Sequence, residues 1–192
     1  EIYDGGKDGF MEFSTSASQD QVHKSTTGYL FRKFVKEDKT IDFADIQSDQ
    51  YWIEMRLAEI YLISSEAYAR LDKFKDAYID LNEVRQRVGM PMLPQKNAWD
   101  DYLVDLAKER VCELGMEGHR YFDLVRWGKA KDVLDGKRLH GVKATKGLDK
   151  FTYERIECDV KTRNFTSRYT IFPIPSSEIR TNLKCEQNEL WK

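Results

Sequence analysis

The sequence predicts a mainly α-helical chain, with antiparallel helical hairpins, irregular loops and a small β element. Three observations carry that prediction. Small or apolar side chains recur at Ile53, Leu57, Ile60, Tyr61, Ser64, Ala67, Tyr68 and Leu71, in the steps of three and four that mark one face of a helix. A second stripe follows at Phe74, Ala77, Tyr78, Leu81, Val84 and Val88, after a turn at Asp72 and Lys73 so short that the two helices must lie antiparallel. Charged residues make up 33% of the chain, above the usual quarter, which suits long solvated helix faces.

Residues 1–50 read as a loop-rich lead-in. Gly5, Gly6 and Gly9 interrupt the first ten residues, and the run at 14–19 is small and polar. Tyr29 to Val35 is the one short apolar run there and reads as a strand or a buried extended segment. Residues 51–89 form the hairpin, stopped by Gly89 with Pro91 just beyond. Tyr61, Tyr68, Phe74, Ala77 and Leu81 fall where a tetratricopeptide repeat places its small and aromatic residues. One such unit cannot bury both of its faces, so partner helices are expected from elsewhere.

A second hairpin is predicted over 98–134. Its first helix, 98–117, carries Trp99, Leu103, Leu106, Arg110 and Leu114 on a stripe, with Asn97 as N-cap and Asp100 and Asp101 complementing the dipole. Gly115 and Gly118 loosen the junction to a helix over 119–134. The rest, 135–192, reads as an irregular tail. It holds a polar loop at 135–150, a strand from Phe151, an extended segment at 169–175 imposed by its prolines, and a helical turn capped by Ser176 and Ser177. The whole, 1–192, is expected to be a single domain.

At 192 residues and 22.6 kDa the chain can bury about two-thirds of its unfolded surface, so its core needs no disulfide or metal. Hydrophobic residues at 41% exclude a disordered chain. The formal charge of -2, from 31 basic and 33 acidic side chains, disfavours a broad nucleic-acid surface. No run approaches the length of a membrane-spanning helix. The first residues lack the order of a signal peptide, and the chain reads as the later part of something longer. Cys112, Cys158 and Cys185 are widely spaced and form no metal or disulfide pattern.

Glu109, Glu113 and Glu117 share one helix face, with His119 close behind. Carboxylates and histidine are legitimate metal ligands, yet Arg110, Arg120 and Arg126 stand three residues from Glu113, Glu117 and Asp123, so an ion-pair lattice is the expected reading and no metal site is assigned. No nucleophile elbow, phosphate loop or catalytic carboxylate pair stands out, so no catalytic residue and no cofactor are expected. Cys112 reads as a small buried hydrophobe. Asp4, Asp8 and Asp20 read as solvated loop, and Asn164-Phe165-Thr166 matches a glycosylation sequon without further support. Among the aromatics, Tyr61, Tyr68, Tyr78 and Trp99 sit on core stripes. Tyr3, Phe10, Tyr102 and Trp191 lie in loops or at edges and are the candidates for stacking on a sugar ring.

Several stretches taken together carry a resemblance: TGYLFRKFV (27–35), RLAEIYLISSEAYAR (56–70), LNEVRQRVGMP (81–91), ERVCELGMEGHRYFDLVRWGKA (109–130), FPIPSSEI (172–179) and QNELW (187–191). The chain resembles the C-terminal region of SusD/RagB-type proteins, the surface nutrient-binding lipoproteins of Bacteroidetes. The resemblance implies a SusD-like α-α superhelix and a lipid anchor at the outer face of the outer membrane, whose cysteine is not in this chain. It also implies capture of oligosaccharide (in some members peptide) for a SusC-like TonB-dependent transporter, without enzymatic activity. Glu117, His119, Arg120, Phe122, Asp123, Arg126 and Trp127 match the family stretch and read as scaffold, with Phe122 and Trp127 packing and the charges bridging helices. A helical module that docks a protein partner is the alternative. A hydrolase would need two carboxyl groups facing each other across a cleft.

Overall fold

The computed structural model describes residues 27–29, 33–34, 52–146 and 150–192. The chain forms two compact units, one of Lys33–Asp123 and one of Glu1–Arg32 with Leu124–Lys192.

In the first unit, α1 (Leu57–Arg70) packs on α2 (Phe74–Arg87) and on α3 (Trp99–Glu113). The turn after α1 is a Schellman motif. The Lys73 N–H donates to the Tyr68 carbonyl at 2.9 Å and the Asp72 N–H to that of Ala69 at 3.1 Å. Asp72 takes the left-handed conformation this requires, at φ 58°. The core between the three helices holds Leu62, Ala69, Ala77, Leu81, Val84, Tyr102, Leu103 and Leu106.

The buried face of α1 is not the predicted one. Ala58, Leu62, Ser65 and Ala69 point inward, whereas Leu57, Ile60, Ile63 and Leu71 are exposed and Tyr61, Ser64 and Tyr68 are half-buried. The helix is apolar most of the way round, so two stripes overlap. The stripe with small residues at 58, 65 and 69 is the one that lets neighbouring helices approach closely. The stripe of α2 matches the expectation except at Val88, which is exposed beyond the helix end. Helix α3 begins after Ala98, which makes no side-chain cap, so Asn97 does not cap it. It ends at Glu113 rather than 117, because Met116 and Gly118 turn the chain with positive φ. Cys112 is exposed, not buried.

The predicted helix over 119–134 is two helices, α4 (His119–Arg126) and α5 (Ala130–Leu134). Gly128, at φ 68°, breaks it with a second Schellman motif: Lys129 N–H to Leu124 O at 2.8 Å and Gly128 N–H to Val125 O at 3.0 Å.

The second unit also contains a two-stranded antiparallel ribbon. Strand β1 (His140–Lys146) lies inside the segment read as polar loop and pairs with β2 (Phe151–Glu157), His140 facing Glu157 and Lys146 facing Phe151. The Val142 N–H donates to the Thr27 carbonyl at 2.9 Å. A side chain at Gly141 would meet that same carbonyl at 2.3 Å, so the close approach requires glycine. After a 3-10 turn at Ser167–Thr170 the chain is extended at Ile171. Helix α6 (Ser176–Thr181) follows Pro175, and neither Ser176 nor Ser177 caps it. The C-terminal residues clamp the extended segment with their side chains. Gln187 both accepts from the Ile174 N–H and donates to its carbonyl at 2.9 Å, Asn188 donates to Phe172 O at 2.9 Å, and Trp191 donates to Ile171 O at 2.7 Å.

Candidate functional site

The carboxylates of the 109–123 stretch are bound by cations that come from other elements. Arg56, the residue before α1, donates from Nε to both oxygens of Glu117 at 3.1 and 2.9 Å, from Nη1 to Glu113 Oε1 at 2.5 Å, and from Nη2 to the Glu113 carbonyl at 2.6 Å. Lys33 reaches Glu117 and the carbonyls of Glu113 and Gly115. Arg87 holds Glu113 at 2.7 Å and Arg85 holds Glu109 at 2.6 Å, while Arg110 pairs with Asp123 at 2.7 Å. The lattice is thus an ion-pair network, but Arg110 pairs with Asp123 rather than with Glu113 three residues on. The helix-spacing rule found the acids and missed Arg56, Arg85 and Arg87, whose partners lie 24 to 61 residues away.

Burial opposes ionisation of Glu117, yet the hydrogen bonds from Arg56 and Lys33 outweigh it and hold its carboxyl at about 2. The Glu117 carboxylate in turn pushes the Arg56 guanidinium above its ordinary value. His119 stands with Nε2 3.7 Å from Glu59. Among the described residues no group of three or more His, Cys, Asp or Glu is placed to hold a metal ion.

The rest of the motif divides. Trp127 is buried, with the Arg126 guanidinium 4.8 Å from its ring centroid. Phe122 does not pack as expected: it is 57% exposed, its ring edge-on to Tyr121. The α4 helix turns it outward because Asp123 and Leu124 take the inward positions. Arg120 is exposed.

Of the stacking candidates, Tyr3 and Phe10 lie outside the described residues, as do Asp4, Asp8 and Asp20. Tyr102 is fully buried in the first turn of α3, ringed by Phe74, Tyr78 and Trp99, and presents no face to a ligand. Burial pushes its phenol up, and burial with the hydrogen bond to Asp105 does the same for Tyr78. Trp191 is half-buried, with one ring face under the Arg168 guanidinium at 4.0 Å and Tyr169 against its edge. Its indole anchors the tail.

The aromatic surface that sequence reasoning missed is Trp52. It is 66% exposed, stacks at 5.3 Å on Phe34, and donates from Nε1 to Glu54 at 3.0 Å. A large flat ring, held by a second ring and flanked by a carboxylate, is the arrangement that a sugar face and its hydroxyls match. Lying ahead of α1, it falls on no periodic stripe, so no sequence signal marked it.

The sequence profile of the SusD family matches residues 3–191. The chain belongs to the SusD family. It is 31% identical over 137 residues to the starch-binding protein SusD of Bacteroides thetaiotaomicron, covering 71% of this chain and 21% of that protein. A SusD-like protein of Formosa agariphila is 33% identical over 89 residues, covering 43% of this chain and 16% of the relative. The crystal structure of a SusD-like protein from Bacteroides fragilis superposes with a TM-score of 0.64 at 29% identity, over 73% of this chain and 26% of the other. A SusD superfamily protein from Bacteroides vulgatus shares the fold, with a TM-score of 0.54 at 24% identity over 72% of this chain and 27% of the other. The chain therefore spans about a fifth of the curated SusD relatives it matches and about a quarter of the solved ones.

Proposed function

We propose that this chain belongs to a glycan-capturing protein of the outer membrane. In this reading a lipid anchor holds the protein at the cell surface, and it passes oligosaccharide to a SusC-like TonB-dependent transporter. It binds and does not cleave. The observation that carries this reading is the family match over 3–191, joined to a relative named for binding starch. Two features of the structure support it. The motif carboxylates Glu109, Glu113, Glu117 and Asp123 are each engaged by a cation, which suits a scaffold. Trp52 offers an exposed ring for a pyranose face. No described helix is long and apolar enough to cross a membrane.

Calorimetric titration of the 192-residue chain with maltooligosaccharides and other neutral oligosaccharides tests the reading. Saturable binding that Trp52→Ala weakens at least tenfold supports it. Release of reducing ends from the titrated glycan overturns the claim of a pure binder. Failure of every glycan tested, with retained binding to a SusC-like transporter, favours the docking module instead.

A further inference from the structure

The chain has four tryptophans, and three of them carry a guanidinium over the ring. Arg70 stands 3.5 Å from the ring centroid of Trp99, Arg126 4.8 Å from that of Trp127 and Arg168 4.0 Å from that of Trp191. Trp52 is the exception. It is the most exposed of the four, and among the described residues no cation stands over its ring. The electron-rich face of an indole attracts cations more strongly than the other aromatic side chains do. At Trp52 that attraction is left for a ligand.

The ring is also held in place. Phe34 stacks on it with an interplanar angle of 28°, so the exposure of Trp52 belongs to its other face and its edges. Phe34 keeps a left-handed backbone at φ 68°, which a bulky side chain adopts only where its surroundings impose it. The neighbouring Lys33 supplies that restraint, through the Glu113 and Gly115 carbonyls and the Glu117 carboxylate. At the indole edge Glu54, exposed, accepts from Nε1. Glu109, Glu113, Glu117 and Asp123 each have a cation, whereas Glu54 has none among the described residues. The sequence from Thr40 to Met55 contains no Lys, Arg or His that could compete for it.

We infer that this platform is selective for an amino sugar with a free ammonium group. The inference rests on the glycan-capture reading and narrows its ligand. The C–H face of the pyranose lies on the open face of Trp52, and its equatorial substituents then project past the ring edge, where Glu54 stands. A carboxylate is an acceptor only. From an ammonium it takes a charge-assisted hydrogen bond, about twice as strong as one from a neutral hydroxyl. The same positive charge is attracted by the indole. An acidic sugar meets repulsion from Glu54 instead.

The test is calorimetric titration of the whole 192-residue chain at about pH 6, where the amine is charged. The probes are the β-1,4-linked glucosamine tetramer, its fully N-acetylated form, maltotetraose and pentalysine. The free-amine tetramer should bind at least about tenfold more tightly than the N-acetylated one, which keeps the sugar skeleton and loses the charge. Added salt should shrink that preference. Glu54→Gln, a surface change checked for folding by circular dichroism, should bring the two tetramers level, and Trp52→Ala should abolish measurable binding of both. The inference is overturned by equal binding of the two tetramers, by an unaltered preference in folded Glu54→Gln, or by pentalysine binding at Trp52 as tightly as the amino sugar. Maltotetraose or the N-acetylated tetramer binding through Trp52 with no gain from a free amine sinks the inference and leaves glycan capture standing. Failure of every glycan sinks both.

Discussion

The hydroxyl of Tyr102 lies 2.6 Å from Ser65 Oγ, and the direction of that bond is set by a third group. Ser65 has a single hydroxyl proton and donates it to the Ala77 carbonyl at 2.6 Å. Tyr102 must therefore donate to Ser65. One buried chain of hydrogen bonds, Tyr102 to Ser65 to Ala77, joins α3 to α1 to α2.

This order predicts unequal costs. Tyr102→Phe removes a donor and leaves Ser65 with an unused acceptor, for a loss of about 1 kcal/mol. Ser65→Ala strands a buried phenol donor and should cost about 1–3 kcal/mol. The double variant should lose less than the sum, since each single change spoils the same bond. Urea unfolding of the four proteins measures the coupling, and strict additivity would contradict the hydrogen-bond chain.

Neighbouring residues of α1 should differ sharply. Leu62 is 0% exposed and Ile63 is 47% exposed. Leu62→Ala should cost about 2–5 kcal/mol. Ile63→Lys should fall within about 0.5 kcal/mol of the parent. Thermal melts of the two variants decide which face of the helix is the core face.

Glu117 gives the chain an acid limb. Its carboxyl is held at about 2 against an ordinary value of 4.5. A depressed acid stabilises the fold above the unfolded-chain value, and that contribution drains away as pH falls from about 4.5 through 2. The melting temperature should decline over that window, and Glu117→Gln should flatten the decline while lowering the value at pH 7. A variant whose acid profile matches the parent would remove Glu117 from the account.

Gly128→Ala should destabilise by about 1–2 kcal/mol through backbone strain alone. Its φ is 68° and a Cβ there would meet no atom within 4 Å, so no clash contributes. Gly128→Asn should recover part of the loss, because asparagine tolerates that conformation. Circular dichroism melts of the three proteins provide the comparison.

Much of the helical layout was legible in the residues, and the errors have physical causes. The stripe of α2 could be read because its outer face is charged, leaving one apolar side. The stripe of α1 could not, because Leu57, Ile60 and Ile63 compete with Ala58, Leu62 and Ala69, and periodicity alone does not say which set meets a neighbour. Glu59 and Glu66, both buried, further blur the pattern. Tyr102 stands three after Trp99 and four before Leu106, which is core spacing, so its burial was readable and the edge assignment overlooked it. Strand β1 carries only a brief alternation, Val142 and Ala144 against Lys143 and Thr145, and its existence rests more on pairing with β2 and Thr27 than on its own composition. The helix break at Gly128 and the outward turn of Phe122 both depend on local backbone geometry within one turn, below the resolution of a periodicity argument. Trp52 precedes the first regular element, where periodicity says nothing about exposure.

The bond between Arg56 and Glu117 spans 61 positions of the chain, whereas α1 and α2 are joined by a three-residue turn. Contacts so far apart must wait for a large loop to close, and near ones need not. The helical pair should accordingly organise early in folding and the Arg56 clasp late. Disabling that clasp with Glu117→Gln should then leave the refolding rate nearly untouched and make the protein come apart faster, a division that stopped-flow chevrons resolve. A residue of the 109–130 stretch would in that case govern how long the folded chain persists, and scarcely at all how quickly it forms.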